Sequence, residues 1–169
     1  MGEEAGDFLE FAHARSGHLF RTACLLSGDW HLAEDLVQET LAKLYRSWHR
    51  IDQQVGSPAA FAQTVLFRTF LSHRRRLSTR ERPVDALPET PQPQEEPELR
   101  ITLLQGLAQL TPKDRAVLVL RYWEDRSVEE TAQVLRVSPG TARVRSLRAL
   151  ERLRAVLGEE LQDLGVRTR

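Results

Sequence analysis

Residues 127–154 read SVEETAQVLRVSPGTARVRSLRALERLR, and their punctuation decides the fold of the back half of the chain. Ser127 with Glu130 three residues on is a capping box, the start signal of a helix. Val128, Ala132, Val134 and Leu135 supply the apolar residues of a short helix that ends near Leu135. After the three residues RVS a second start follows, with Ser138 as cap and Pro139 at a position where a missing N–H costs nothing. This second helix continues past Leu153. A short capped helix, a tight turn and a longer capped helix form a helix-turn-helix pattern.

The long helix is two-faced. Ala142, Ala149, Leu150, Leu153 and Leu157 fall on one side with Ser146, and that side faces the core. The other side carries Arg143, Val144, Leu147, Arg148 and Glu151, flanked by Arg145 and Arg152. The whole chain has 24 Lys+Arg against 24 Asp+Glu. Between Arg136 and Arg154, however, stand six arginines and one acid, Glu151. In a helix-turn-helix the second helix enters the DNA major groove with its N-terminal half at the bases. Arginine suits that place, because its planar fork bonds guanine twice and also pairs with phosphate. Val144 and Leu147 are poorly matched to water but acceptable beside thymine methyls or sugars. A solvated basic helix with Glu151 supplying local pairs is the plainer reading. Caps, turn length and a one-sided arginine face together favour DNA. The neutral total limits attraction to random nucleic acid.

Outward from this unit, residues 81–98 (ERPVDALPETPQPQEEPE) contain five prolines and six acids against one arginine. Such a composition builds no packed element and reads as an extended acidic linker. It separates two all-helical pieces, residues 1–80 and 99–169. Ahead of the helix-turn-helix lie a helix over about Leu99–Gln109 and one opening at TPKD, with Thr111 as cap and Asp114 as a capping-box-like acid. The front piece has helices over about Gly6–Leu26, Asp29–Trp48 and, from a Ser57 cap with Pro58 behind it, to about Leu77. In the middle one Ala33, Leu36, Val37, Leu41, Leu44, Tyr45 and Trp48 form one continuous apolar stripe. The fold class is therefore all-α, as two small helical domains.

Little points to an enzyme. There is no Gly-rich phosphate loop and no GxSxG elbow. The histidines at 13, 18, 31, 49 and 73 have no cysteine partners and no HExxH spacing, so neither metal nor cofactor is expected. No apolar run approaches the roughly 18–20 residues that cross a bilayer. With an acidic N-terminus and one cysteine, Cys24, the expected location is cytoplasmic, away from any membrane.

The stretch LTPKDRAVLVLRYWEDRSVEETAQVLRVSPGTARVRSLRALERLR resembles region 4 of the extracytoplasmic-function (ECF) group of bacterial sigma factors. GDWHLAEDLVQETLAKLYRSW resembles region 2 of the same group, in an actinobacterial-type subset. The resemblance implies a factor that binds core RNA polymerase and directs initiation at promoters through −35 and −10 elements. It implies −35 contacts from Gly140, Thr141, Arg143 and Arg148, within a DNA-facing set that adds Ser138, Val144, Arg145, Leu147 and Arg152. Val144 and Leu147 stand where the family is usually more polar or aromatic. AEDLVQE, Ala33 to Glu39, resembles the polymerase-binding helix. It implies docking of Asp35, Gln38 and Glu39 on the clamp helices of the largest subunit, with the polymerase flap as a further contact.

The third helix resembles the −10 reading and melting segment. The implied −10 contacts are Phe61, Arg68, Ser72, His73, Arg74, Arg75 and Arg76, with basic groups following phosphates and aromatics available to cover unstacked bases, although Phe61 and Phe70 read more readily as core residues. Arg68 and Ser72 replace an Asn and an Asp common in the family. Four consecutive basic residues spread around a helix, so at most two of His73–Arg76 face DNA. An anti-sigma partner is a further implication. The alternative is a helix-turn-helix regulator that never binds core polymerase. It leaves the coincidence of AEDLVQE with a downstream aromatic–basic helix unexplained.

Overall fold

The computed structural model describes residues 2–54, 57–78 and 97–163. Most of the acidic linker thus lies outside the described residues. The chain divides into two compact units, Met1–Val84 and Asp85–Arg169. Among the described residues there are only helices and their connections, with no strand.

In the front unit α1 spans Gly2–Ser27, α2 Trp30–Gln54 and α3 Pro58–Ser78. The turn between α1 and α2 is closed from both sides. Gly28 adopts φ 67° and its N–H bonds the Cys24 carbonyl at 2.8 Å, a left-handed helix end that glycine enters without strain. Asp29 then caps α2, its Oδ1 accepting from the N–H groups of His31 at 2.9 Å and Leu32 at 3.2 Å. The second helix runs one and a half turns past the Trp48 end expected from the sequence. The buried Ile51 continues the Leu44–Trp48 stripe by three residues and gives those extra turns a core to pack on. Ser57 caps α3 as expected, with its Oγ accepting from Ala60 N–H at 3.2 Å.

The three helices pack on one another around Leu26, Leu36, Leu44, Leu66, Phe67 and Phe70, all fully buried. Each such side chain contributes about 1.5–3 kcal/mol. Phe8 and Phe11 close one end against Trp48, with ring centroids 5.4 and 5.0 Å away. Lys43 ties α2 to α3 through its Nζ, 3.0 Å from Thr69 Oγ1.

In the back unit α4 spans Pro97–Ala108, α5 Pro112–Leu118, α6 Val128–Leu135 and α7 Pro139–Asp163. A π-helical turn, Val119–Trp123, extends α5. It keeps Val119 and Leu120 buried and turns Tyr122 and Trp123 outward. Helix α7 packs against α4, α5 and α6. Close approach is permitted by small residues: Ala142, Ser146 and Ala149 lie at the contacts, and Gly106 of α4 meets Leu153 and Leu157. A side-chain carbon at 106 would stand 3.1–3.2 Å from those two leucines. Arg115 is buried and its Nη2 donates to the carbonyls of Ala108 at 3.3 Å and Leu110 at 3.2 Å. The otherwise unsatisfied carbonyls at the end of α4 are thereby pinned to α5.

Candidate nucleic-acid and partner surfaces

The helix-turn-helix forms as its punctuation requires. Both halves of the Ser127–Glu130 capping box are made, at 3.0 and 2.8 Å. The bond from Ser127 N–H holds the Glu130 carboxyl below the usual range. α6 ends at Arg136, which takes the left-handed conformation at φ 56°, ψ 46°. Arg136 N–H bonds the Gln133 carbonyl at 3.3 Å, and Val137 N–H bonds that of Ala132 at 3.0 Å. This paired closure reverses the chain within three residues, at the cost of holding a non-glycine residue in a disfavoured region. Ser138 then caps α7: its Oγ accepts from Thr141 N–H at 3.1 Å and its hydroxyl donates to Thr141 Oγ1 at 2.9 Å.

On α7 the buried side is Ala142, Ser146 and Ala149, as the sequence spacing requires. Thr141, Arg143, Val144, Leu147 and Arg148 all emerge opposite that side, exposed. Arg145 is half-buried on the flank, and Ser138 is exposed while serving as the cap.

Arg152 makes a contact that the sequence does not signal. Its Nη1 bonds Asp114 Oδ2, and the Asp114 side chain is only 9% exposed. The Arg152 side chain itself stays 59% exposed, so the arginine links α5 to α7 while still reaching the surface. The same bond corrects the capping-box expectation at TPKD. Thr111 Oγ1 accepts from Asp114 N–H at 3.2 Å, but the Asp114 carboxylate turns to α7 instead of back to Thr111. The pair is separated by 38 positions, a distance at which no local pattern signals it.

In the front unit Glu34, Asp35 and Gln38 are exposed on the side of α2 opposite Ala33, Leu36 and Val37. Glu39 is half-exposed and pairs with Lys43 at 3.0 Å. Trp30 Nε1 donates to Glu34 Oε1 at 3.0 Å. The result is an acidic strip held in place by neighbours on its own helix.

Along α3 the core reading holds for Phe70, and Phe67 joins it. Phe67 and Phe70 are fully buried and belong to the core, leaving Phe61, half-buried, as the aromatic nearest solvent. Arg68 is exposed and Ser72 half-buried, 3.4 Å from Arg75 Nη2. Arg74 turns back over the Phe70 ring at 5.7 Å, a cation–π contact. Arg75 and Arg76 are exposed.

His73 is half-buried between this basic end and α2, and its Nδ1 is buried with no hydrogen-bond partner. Burial first, then Arg76 and Arg74, lowers its pKa, while Glu39 and Asp35 across the helix pair pull the other way.

Among the described residues no helix is long and apolar enough to cross a membrane, and no three His, Cys, Asp or Glu cluster as metal ligands.

A model of Sigma-70 region 2 matches residues 12–80, and one of Sigma-70, region 4 matches residues 106–155. The chain is 38% identical over 159 residues to the RNA polymerase sigma-E factor of Streptomyces coelicolor, covering 93% of this chain and 89% of that one. It is 35% identical over 156 residues to the ECF RNA polymerase sigma factor SigL of Mycobacterium tuberculosis, covering 88% and 85%. Among solved structures, the sigma factor RpoE of Bartonella quintana, in complex with the anti-sigma factor NepR, superposes with TM-score 0.70 at 24% identity, covering 90% and 97%. CnrH, in complex with the cytosolic domain of CnrY, superposes with TM-score 0.63 at 21% identity, covering 90% and 88%.

Two outcomes follow from the geometry. A lowered histidine pKa means that the unfolded chain takes up the His73 proton before the folded one does. Stability is thus full above the ordinary pKa of 6.5 and falls as pH drops below it. The urea midpoint of the front unit is expected to fall between about pH 7.5 and 5.5, and by less in His73→Gln. Equal falls in both proteins would contradict this. For the Asp114–Arg152 link, Asp114→Ala and Arg152→Ala are each expected to destabilise the back unit. In a double-mutant cycle read by urea unfolding they couple by about 1–2 kcal/mol.

Proposed function

The chain belongs to the ECF group of the sigma-70 family, and on that premise we propose how its two units divide the work of an RNA polymerase sigma factor. In this reading residues 1–80 bind core polymerase and engage the −10 element, residues 99–169 engage the −35 element, and residues 81–98 join them. The observation that carries it is the opposition of faces on α7: a buried stripe of small residues, and opposite it exposed Thr141, Arg143, Val144, Leu147 and Arg148.

A helix laid in the major groove needs a protruding face that bonds bases and phosphates at once, and this one is supplied with arginine on either side. Its N-terminus is held by the Ser138 cap and its middle by Asp114–Arg152, two contacts that order the face ahead of DNA. Such order lowers the ordering cost of binding.

On α2, exposed Asp35 and Gln38 with half-exposed Glu39 form the surface assigned to core polymerase, on the clamp helices of its largest subunit. The flap is assigned to the back unit. The carboxylates of α2 favour a basic partner surface and discourage contact with DNA phosphates. Arg68 with Arg75 and Arg76 lines the side of α3 assigned to −10 DNA, and Ser72 and Phe61 lie beside them. Arg74 and His73 brace the end of the helix from within. An anti-sigma protein is a further partner in this reading, supported by the complex of RpoE with NepR. The protein works in the cytoplasm, where polymerase and promoters are. The reading asks for no catalytic step and no cofactor.

The docking assignment is tested by Asp35→Arg combined with Glu39→Arg. Both side chains point away from the front core, so helicity by circular dichroism stays unchanged, apart from a few tenths of a kcal/mol lost with the Glu39–Lys43 pair. Affinity for core polymerase, measured by fluorescence anisotropy of the labelled full chain, is expected to fall at least about tenfold. Unaltered affinity would remove α2 from the docking surface.

A further inference from the structure

The centre of the arginine face is apolar. At about 100° per residue, Val144 lies nearly opposite Ala142, Ser146 and Ala149, on the outward side of α7. Leu147 follows one turn on. They are 47% and 58% exposed. Arg143 stands to one side of this ridge and Arg148 to the other, both exposed, and Glu151 continues the line of the ridge. Two exposed branched apolar side chains among charges gain by being covered, and neither can donate or accept a hydrogen bond.

When this face enters a major groove, its flanks meet the sugar–phosphate walls and its centre meets the base edges. Glu151 on the same line repels phosphate, so the line runs over bases and not along a backbone strand. A donor or acceptor on a base edge set against Val144 or Leu147 would lose water and gain no partner. The thymine 5-methyl is the one apolar group that the four bases show in the major groove. Residues three apart are separated by about 4.5 Å along the axis, near the ~3.4 Å step between base pairs.

We propose that Val144 and Leu147 are specificity residues that seat the 5-methyl groups of thymines on neighbouring base pairs of the upstream promoter element. The assignment rests on α7 being the −35 reading helix. It makes arginine a contributor from the flanks, to phosphate or to an adjoining guanine, and gives the floor of the interface to methyl contacts.

Uracil differs from thymine by that methyl alone, so the test needs no change to the protein. Holoenzyme formed from the full chain and Streptomyces coelicolor core polymerase is used to select duplexes randomised across the upstream and downstream promoter elements. The selected upstream element is then rebuilt with each thymine replaced singly by uracil. Wild-type holoenzyme is expected to bind about fourfold more weakly at one or two neighbouring positions, the equivalent of one buried methyl each. Val144→Ala or Leu147→Ala, both exposed and outside the core, is expected to abolish the thymine–uracil difference at its own position. An upstream element that is selected yet binds equally with thymine or uracil everywhere overturns the methyl assignment and leaves the −35 reading standing. No upstream selection at all overturns the −35 reading, and the methyl assignment with it.

Discussion

The back unit depends on the seating of α7 by its small residues. Ala142, Ser146 and Ala149 are nearly or fully buried, and because they are small, α5 and α6 come close enough for the helix to have only one rotational setting. Turning α7 by one residue, about 100°, would bury Arg143 or Arg148 without a partner, an outcome costing several kcal/mol. The direction of the arginine face is therefore a consequence of the core. Asp114 adds a second constraint by holding Arg152 from α5, and the left-handed turn at Arg136 adds a third by fixing where α7 starts.

The front unit follows the same logic with larger side chains. Its α2 buries Leu36, Leu44 and Trp48 and thereby presents Asp35 and Gln38 outward. Lys43 is shared between Glu39 and Thr69, so the acidic strip and the third helix are mechanically linked. His73 lies where these two surfaces meet, subject to the fields of Glu39 and Asp35 on one side and Arg74 and Arg76 on the other. A neutral histidine at neutral pH keeps that junction from adding another positive charge to the basic end of α3.

Much of this was legible in the sequence because it is local. Caps at Ser57, Ser127 and Ser138 are written within four residues and appear as written. The faces of α2 and α7 follow from helical spacing alone. What the sequence hid depends on contacts between distant positions. Phe67 looks like a base-stacking aromatic beside an arginine run, yet three-helix packing takes it into the core with Phe70. Asp114 looks like a capping acid until the fold joins it to Arg152. The extension of α2 to Gln54 depends on Ile51 finding the core, and a polar stretch around it masks that signal.

The role proposed for the face opposite the small-residue stripe is to read the upstream promoter element. The measurement that tests it most directly is the ranking of upstream and downstream element sequences by holoenzyme carrying Arg148→Ala, set against wild type at several salt concentrations. The account predicts relaxed preference at one upstream base pair, a loss of about 1–3 kcal/mol in discrimination, with the downstream ranking unchanged. An equal loss on every sequence, or a shift in the downstream ranking alone, would contradict it.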